Sequence, residues 1–292
     1  MKTDLIRSVR QPCVMKFLLR FLIVLCSISI SANAQKFETF AYGDSVRQKL
    51  DVYAQKKETK VPVIVFVHGG GWSVGRKSQH QFIGKMFQAQ GYVAVVINYR
   101  LFPESTFPGF PEDAASAVQW VSENIETHGG DPKRIFLMGH SAGAHSVALL
   151  GLDEQYLKAV DVKPEAIRGV VGVSGPMTLK PSKIPMLKRI FGEATDAEIA
   201  PVGFVDGEEG SEPPFLLLHG KNDPLVPFNQ SKELEKRILE KGGRAKGIYF
   251  DRYDHITILG AFSEKYGKTG TVIAPIIQFI EADGDLEKVK TP

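Results

Sequence analysis

The sequence predicts an α/β domain with a mostly parallel sheet, helices on both faces and a small insertion. Three observations carry this. Short apolar, β-branched runs alternate with longer helical patterns. Most runs are apolar throughout rather than alternating, as parallel strands buried on both faces must be. A serine flanked by glycines stands where one such run gives way to a helix.

The elements follow in order. Residues 1–34 read as a leader and not as fold. Lys2, Arg7, Arg10, Lys16 and Arg20 precede the apolar run Phe21–Ile30, and Ala32-Asn33-Ala34 closes it. Basic region, apolar region and small-x-small site together predict a signal peptide cleaved after Ala34, and export to the periplasm or medium. The run is too short to span ~30 Å of hydrocarbon, which takes ~20 residues. Bulky Leu25 disfavours a lipid anchor on Cys26. Residues 35–292 then form one catalytic domain.

An antiparallel edge hairpin is expected at Phe37–Tyr42 and Val46–Ala54. Strands follow at Val61–Val67, Val93–Tyr99, Arg134–Met138, Gly169–Val173, Phe215–His219 and Lys246–Phe250. Helical patterns cover Pro111–Thr127, Ala144–Leu150, Asn229–Lys241 and Gly270–Glu281. The stretch 176–213 holds Pro176, Pro181, Pro185 and Pro201 before Pro213, and reads as an insertion or small cap over the carboxyl ends of the strands.

Composition narrows the partners. Of 292 residues, 43% are hydrophobic and 24% charged, which is a globular balance. The net charge of +3 is too weak to predict nucleic acid as partner. The leader carries five basic residues and one acidic one. The remainder has 31 basic against 32 acidic residues, a net of −1. Cys13 and Cys26 both lie in the leader, so neither a disulfide scaffold nor a thiolate metal site is expected.

The chemistry centres on Gly139-His140-Ser141-Ala142-Gly143. A strand-to-helix turn of this form strains the serine backbone and exposes its hydroxyl. Glycines two residues either side are needed because a Cβ there would strike backbone. A capping serine on a glycine-rich turn is the plainer alternative. His68-Gly69-Gly70-Gly71-Trp72 directly follows a strand. The amides of Gly70, Gly71 and Ala142 are the expected donors to an oxyanion. A phosphate nest is disfavoured because no G-x-x-x-x-G-K-[ST] pattern is present. His68 is expected to brace the loop. Trp72 packs either beside the acyl pocket or in the core.

The serine needs a base, and the base needs a carboxylate. Hydrolases that carry this elbow on an open sheet place serine, acid and histidine in that order. His145 lies too close after Ser141. His219 precedes the turn Gly220–Pro224, which it is expected to brace. His255 falls just past the last strand, at the edge that holds the elbow, and is the expected base. Asp223, in the loop after Phe215–His219, is the expected acid. Asp251 and Asp254 are its rivals, and Asp254 ranks low because a neighbour's carboxylate rarely aligns with the adjacent imidazole. Ser141, Asp223 and His255 thus end three different strands at one edge, as sites on open α/β sheets do.

These segments, with Asn98–Pro103, Asp131–His145, His219–Pro227 and Asp254–Leu259, resemble the α/β-hydrolase carboxylesterases of the hormone-sensitive-lipase and arylformamidase type. The likeness spans roughly residues 40–280. It implies the α/β-hydrolase fold with an eight-stranded sheet, serine hydrolysis without a cofactor, and Arg100 with Asp113 as a structural ion pair behind the oxyanion loop. The stretch 176–213 is shorter than the caps of many lipases, which argues against long-chain lipids. The expected reaction is hydrolysis of small to medium acyl esters through an acyl-enzyme, with a small-molecule or carbohydrate ester as partner. An amide or formamide hydrolase or a peptidase is the alternative that keeps the triad. A binding protein on an inactive hydrolase scaffold is the alternative that discards it.

Overall fold

The computed structural model describes residues 37–55, 58–206, 212–263 and 270–292. The expected leader, residues 1–34, lies outside these, as do residues 207–211 of the expected insertion.

The described residues form a sheet of eight strands, as expected for an α/β-hydrolase fold. β1 (Phe37–Ala41) and β2 (Lys49–Tyr53) make the antiparallel hairpin. β3 (Val61–Val67), β4 (Val93–Ile97), β5 (Gly130–His140), β6 (Ile167–Val173), β7 (Phe215–Gly220) and β8 (Ala245–Phe250) follow. The order across the sheet is β1-β2-β4-β3-β5-β6-β7-β8. β2 runs antiparallel to β4, and β4 through β8 are mutually parallel.

Helices connect them: α1 (Gln81–Ala89), α2 (Gly109–Asn124), α3 (Ala142–Leu152), α4 (Gln155–Lys158), α5 (Pro185–Phe191), α6 (Asp196–Ile199), α7 (Asn229–Glu240), α8 (Thr257–Gly260) and α9 (Ile273–Glu281). Strand side chains alternate between two core layers. Val63, Val65 and Val67 of β3 pack with residues of α2, α3 and α7 on one face. Ile64 and Phe66 pack with residues of α1, α8 and α9 on the other. Burial on both faces explains the unbroken apolar strand sequences.

Several bounds differ from the sequence expectation, among them β2 at Lys49–Tyr53 rather than Val46–Ala54, β4 ending at Ile97 rather than Tyr99, β6 beginning at Ile167 rather than Gly169, and α9 beginning at Ile273 rather than Gly270. β5 begins at Gly130 rather than Arg134, because Gly130 pairs with Val61 ahead of the apolar run. The helix expected from Pro111 begins at Gly109 and gives way to a 3₁₀ turn at Ile125–His128. Helix α1 was not expected. Its Gly84 breaks the helical pattern, yet a Cβ there would lie 2.4 Å from the Tyr53 ring, so the helix needs that glycine to reach the sheet.

Within the stretch 176–213, two short helices have local causes. Pro185 opens α5, where a missing N–H costs nothing. Thr195 caps α6: its hydroxyl accepts from Glu198 N, and Glu198 accepts from Thr195 N at 2.7 Å. Leu187, Ile190 and Phe191 of α5 are buried in the layer that holds α2 and α3.

Candidate active site

β5 ends in the elbow. Ser141 has φ 54° and ψ −120°, a conformation that costs a non-glycine residue of order 1–3 kcal/mol. The two flanking glycines are required sterically. A Cβ on Gly139 would stand 2.3 Å from the Gly143 carbonyl oxygen, and one on Gly143 would stand 2.1 Å from that of Val67. The turn is tied on both sides: Ser141 N donates to Val173 O at 2.9 Å, and His145 N donates to Ser141 O at 3.1 Å.

The loop after β3 lies against this turn. A Cβ on Gly69 would stand 2.9 Å from both the His140 carbonyl oxygen and Ser141 Cβ. Gly70 has φ 119°, and its carbonyl accepts from Ser73 N and Val74 N. The amides of Gly70 and Gly71 have no acceptor among the described residues. The amide of Ala142, in the first turn of α3, is likewise left without an intrahelical partner. His68 Nδ1 lies 2.6 Å from Gly69 O and its ring stacks on Tyr99 at 4.7 Å, consistent with bracing the loop. Trp72 is buried, packed edge-on to Phe191 at 4.8 Å and to His145 at 5.2 Å, so it belongs to the core. Arg100 and Asp113 form the expected ion pair, with Nη2 2.6 Å from Oδ1. The Arg100 amide also donates to Asp113 Oδ2 at 2.7 Å.

The loops after β7 and β8 complete the group. His255 Nε2 lies 2.9 Å from Ser141 Oγ, and His255 Nδ1 lies 2.7 Å from Asp223 Oδ2. An ionised carboxylate can only accept, so Nδ1 carries the proton. Nε2 is then free to accept from the serine hydroxyl. Asp223 Oδ1 accepts from Leu225 N at 2.9 Å and Val226 N at 2.8 Å. Burial pushes the Asp223 carboxyl up, but the N–H groups of Val226, His255 and Leu225 outweigh it and hold the group below the usual carboxylate range. The rivals lie elsewhere. Asp251 pairs with Lys221 at 2.7 Å, and Asp254 Oδ1 accepts from Ile256 N and Thr257 N.

Two further histidines support the triad; the bracing by His219 was expected and the contact of His140 was not. His140, inside the elbow, has Nε2 2.9 Å from the His255 carbonyl oxygen, to which it donates. Burial lowers its pKa to about 3, so it stays neutral. His219 Nε2 lies 3.2 Å from Asp223 Oδ2 and 2.9 Å from Val226 O, bracing the turn as expected, and its Nδ1 meets Ser231 Oγ of α7 at 2.7 Å. The His140 contact ends on a backbone carbonyl and Ser231 lies inside a helix, so sequence spacing signals neither. Among the described residues no group of three His, Cys, Asp or Glu side chains is arranged to hold a metal ion.

A parallel sheet with a strained serine between strand and helix defines an α/β-hydrolase. More particularly, residues 50–238 match the BD-FAE family model, and the chain belongs to that family. It is 31% identical over 258 residues to isoprenylcysteine alpha-carbonyl methylesterase ICME of Arabidopsis thaliana, covering 80% of this chain and 59% of the relative. It is 32% identical over 216 residues to esterase LipC of Mycobacterium tuberculosis, covering 68% and 53%. The chain thus spans little more than half the length of these curated relatives. Among solved structures it resembles a truncated carbohydrate esterase from gut microbiota, with a TM-score of 0.71, 22% identity and coverage of 86% and 98%. It also resembles esterase B from Lactobacillus rhamnosis, with a TM-score of 0.72, 20% identity and coverage of 94% and 98%.

Proposed function

We propose that this protein is a serine carboxylic-ester hydrolase with Ser141, His255 and Asp223 as its triad. The observation that carries the reading is the unbroken chain of contacts from Ser141 Oγ through both nitrogens of His255 to Asp223 Oδ2, at 2.9 and 2.7 Å. Ser141 Oγ attacks the ester carbonyl as His255 Nε2 takes its proton. Asp223 stabilises the imidazolium that forms. The amides of Gly70, Gly71 and Ala142 hold the oxyanion, each contributing ~2.7–4 kcal/mol by analogy with other hydrolases. The tetrahedral intermediate collapses to an acyl-enzyme, with His255 returning the proton to the leaving alcohol. Water, deprotonated by His255, then cleaves the acyl group from Ser141.

The likeness to a methylesterase and an esterase supports an ester over an amide. The substrate is then a small to medium acyl ester. A carbohydrate alcohol is the further expectation, in keeping with the likeness to a gut-microbial carbohydrate esterase. Export after cleavage at Ala34 belongs to the same reading, and N-terminal sequencing of protein recovered outside the cytoplasm tests it.

Turnover of p-nitrophenyl esters from acetyl to octanoyl, alongside acetylated xylan, tests the activity and ranks the acyl group. Ser141→Ala should abolish turnover while the circular dichroism spectrum stays unchanged. Undiminished hydrolysis by that variant refutes the proposal.

A further inference from the structure

Asp223 serves two imidazoles, not one. Its Oδ2 faces His255 Nδ1 at 2.7 Å and His219 Nε2 at 3.2 Å. The protonation of His219 follows from its partners. Nε2 also meets the Val226 carbonyl oxygen at 2.9 Å, and neither a carboxylate nor a carbonyl can donate. Nε2 therefore bears the proton. Nδ1 is then an acceptor, and the Ser231 hydroxyl at 2.7 Å supplies its donor. His219 and Ser231 are both fully buried, so no water competes for either bond. The result is a line of five side chains, Ser141–His255–Asp223–His219–Ser231, joining the elbow to helix α7.

We infer that His219, its tautomer fixed by Ser231, is a positioning residue that draws charge from Asp223 and thereby sets the basicity of His255. The inference rests on the proposed role of Ser141, His255 and Asp223. A donor on a carboxylate spreads its negative charge and weakens it as an acceptor elsewhere. With His219 in place, Asp223 holds the His255 imidazolium less tightly than it otherwise would. The base can then release its proton to the leaving alcohol more readily. Removing the His219 donor leaves Asp223 oriented, because Leu225 N and Val226 N still hold Oδ1. What changes is the charge facing His255. The other groups around His255 are Ser141 at Nε2, the neutral ring of His140 at 4.7 Å and, next in the chain, Asp254, whose Oδ1 is engaged by backbone amides. None of these touches His219, so they stay constant when it is altered.

The test is the pH dependence of kcat/KM in full-length His219→Leu, His219→Gln and Ser231→Ala. In His219→Leu the midpoint of the low-pH limb should rise by about half a unit or more, because a fuller carboxylate charge favours protonated His255. His219→Gln, which can present an N–H near the same place, should bring the midpoint back toward the unaltered enzyme. Ser231→Ala should move it in the same direction as His219→Leu but less, as His219 samples its other tautomer. A purely structural His219 would lower Tm and leave the midpoint where it was. An unchanged or lowered midpoint in His219→Leu overturns the inference. Should that variant not fold, an unchanged midpoint in Ser231→Ala overturns it alone. Failure of the underlying triad reading is recognised separately, since the unaltered enzyme would then go unlabelled by a fluorophosphonate at Ser141.

Discussion

The ends of β7 and β8 carry the same three chemical groups in nearly the same arrangement. At one, His255 bridges Asp223 Oδ2 and the Ser141 hydroxyl. At the other, His219 bridges Asp223 Oδ2 and the Ser231 hydroxyl. The residue types do not separate the two. Access and backbone do. Ser141 sits half-buried on a strained turn with φ 54°, beside two glycine amides that lack acceptors among the described residues. Ser231 is fully buried within helix α7. The orientation of the imidazole also differs. His255 turns Nδ1 to the carboxylate and leaves Nε2 to the serine, whereas His219 turns Nε2 to the carboxylate and is held a second time by Val226 O. A nucleophile therefore needs a hydroxyl that can meet a carbonyl and an imidazole not already committed to backbone.

The sharpest way to break this comparison is to remove the base on the proposed productive side. His255→Ala should lower kcat by roughly 10⁴-fold or more, read from steady-state ester hydrolysis. A loss under tenfold would make the two histidines functionally alike. Asp223→Asn comes next, at up to ~10⁴-fold in kcat, because an amide at Oδ2 can donate to Nδ1 and favour the wrong His255 tautomer. Retention of full activity there would mean that neither imidazole depends on the shared carboxylate.

Much of this arrangement was legible in the sequence, for reasons visible at particular residues. Ser141, Asp223 and His255 each follow an apolar strand, and the parallel sheet sends all three strand ends to one edge. The glycines at 139 and 143 signal a close approach, and in the structure an added Cβ would stand 2.3 and 2.1 Å from backbone oxygens. Helix α1 was hidden because Gly84 meets Tyr53, on a strand well upstream in the chain. The His140 contact was hidden because it ends on a backbone carbonyl, which every residue has. Ser231 was hidden because a serine inside a helix carries no signal of what lies across from it. Sequence patterns report periodicity along the chain, and these contacts are made across it.

The elbow sharpens the comparison sterically. Gly143→Ala must push the Val67 carbonyl or the elbow aside. It should cost about 1–3 kcal/mol of stability and lower kcat about 100-fold by shifting the oxyanion donors. Urea unfolding and ester kinetics read the two effects, and a fully active, fully stable variant would show that the turn has room to spare.

Protons act on the imidazoles of His68, His140 and His145 through stability. Burial lowers His68 and His140 to about 3 and His145 to about 4. Unfolded histidines titrate near ~6.5. Below that value the unfolded chain binds more protons than the folded one. The stability these groups confer is therefore complete above about pH 6.5 and is lost progressively as the pH falls toward 3. The urea midpoint should decline steadily from about pH 6.5 to about pH 4. A midpoint that stays flat across this window would mean that these rings are solvated.

The smallest expected effect is none at all: a fluorophosphonate should leave Ser231 unmodified even in Ser141→Ala, because no reagent reaches a hydroxyl buried in this way. The most direct measurement of the whole account is the same reagent on the unaltered protein, followed by tandem mass spectrometry of its peptides. One adduct, on Ser141, lost in His255→Ala, is the predicted result. An unmodified Ser141, or labelling that proceeds equally without His255, would contradict it.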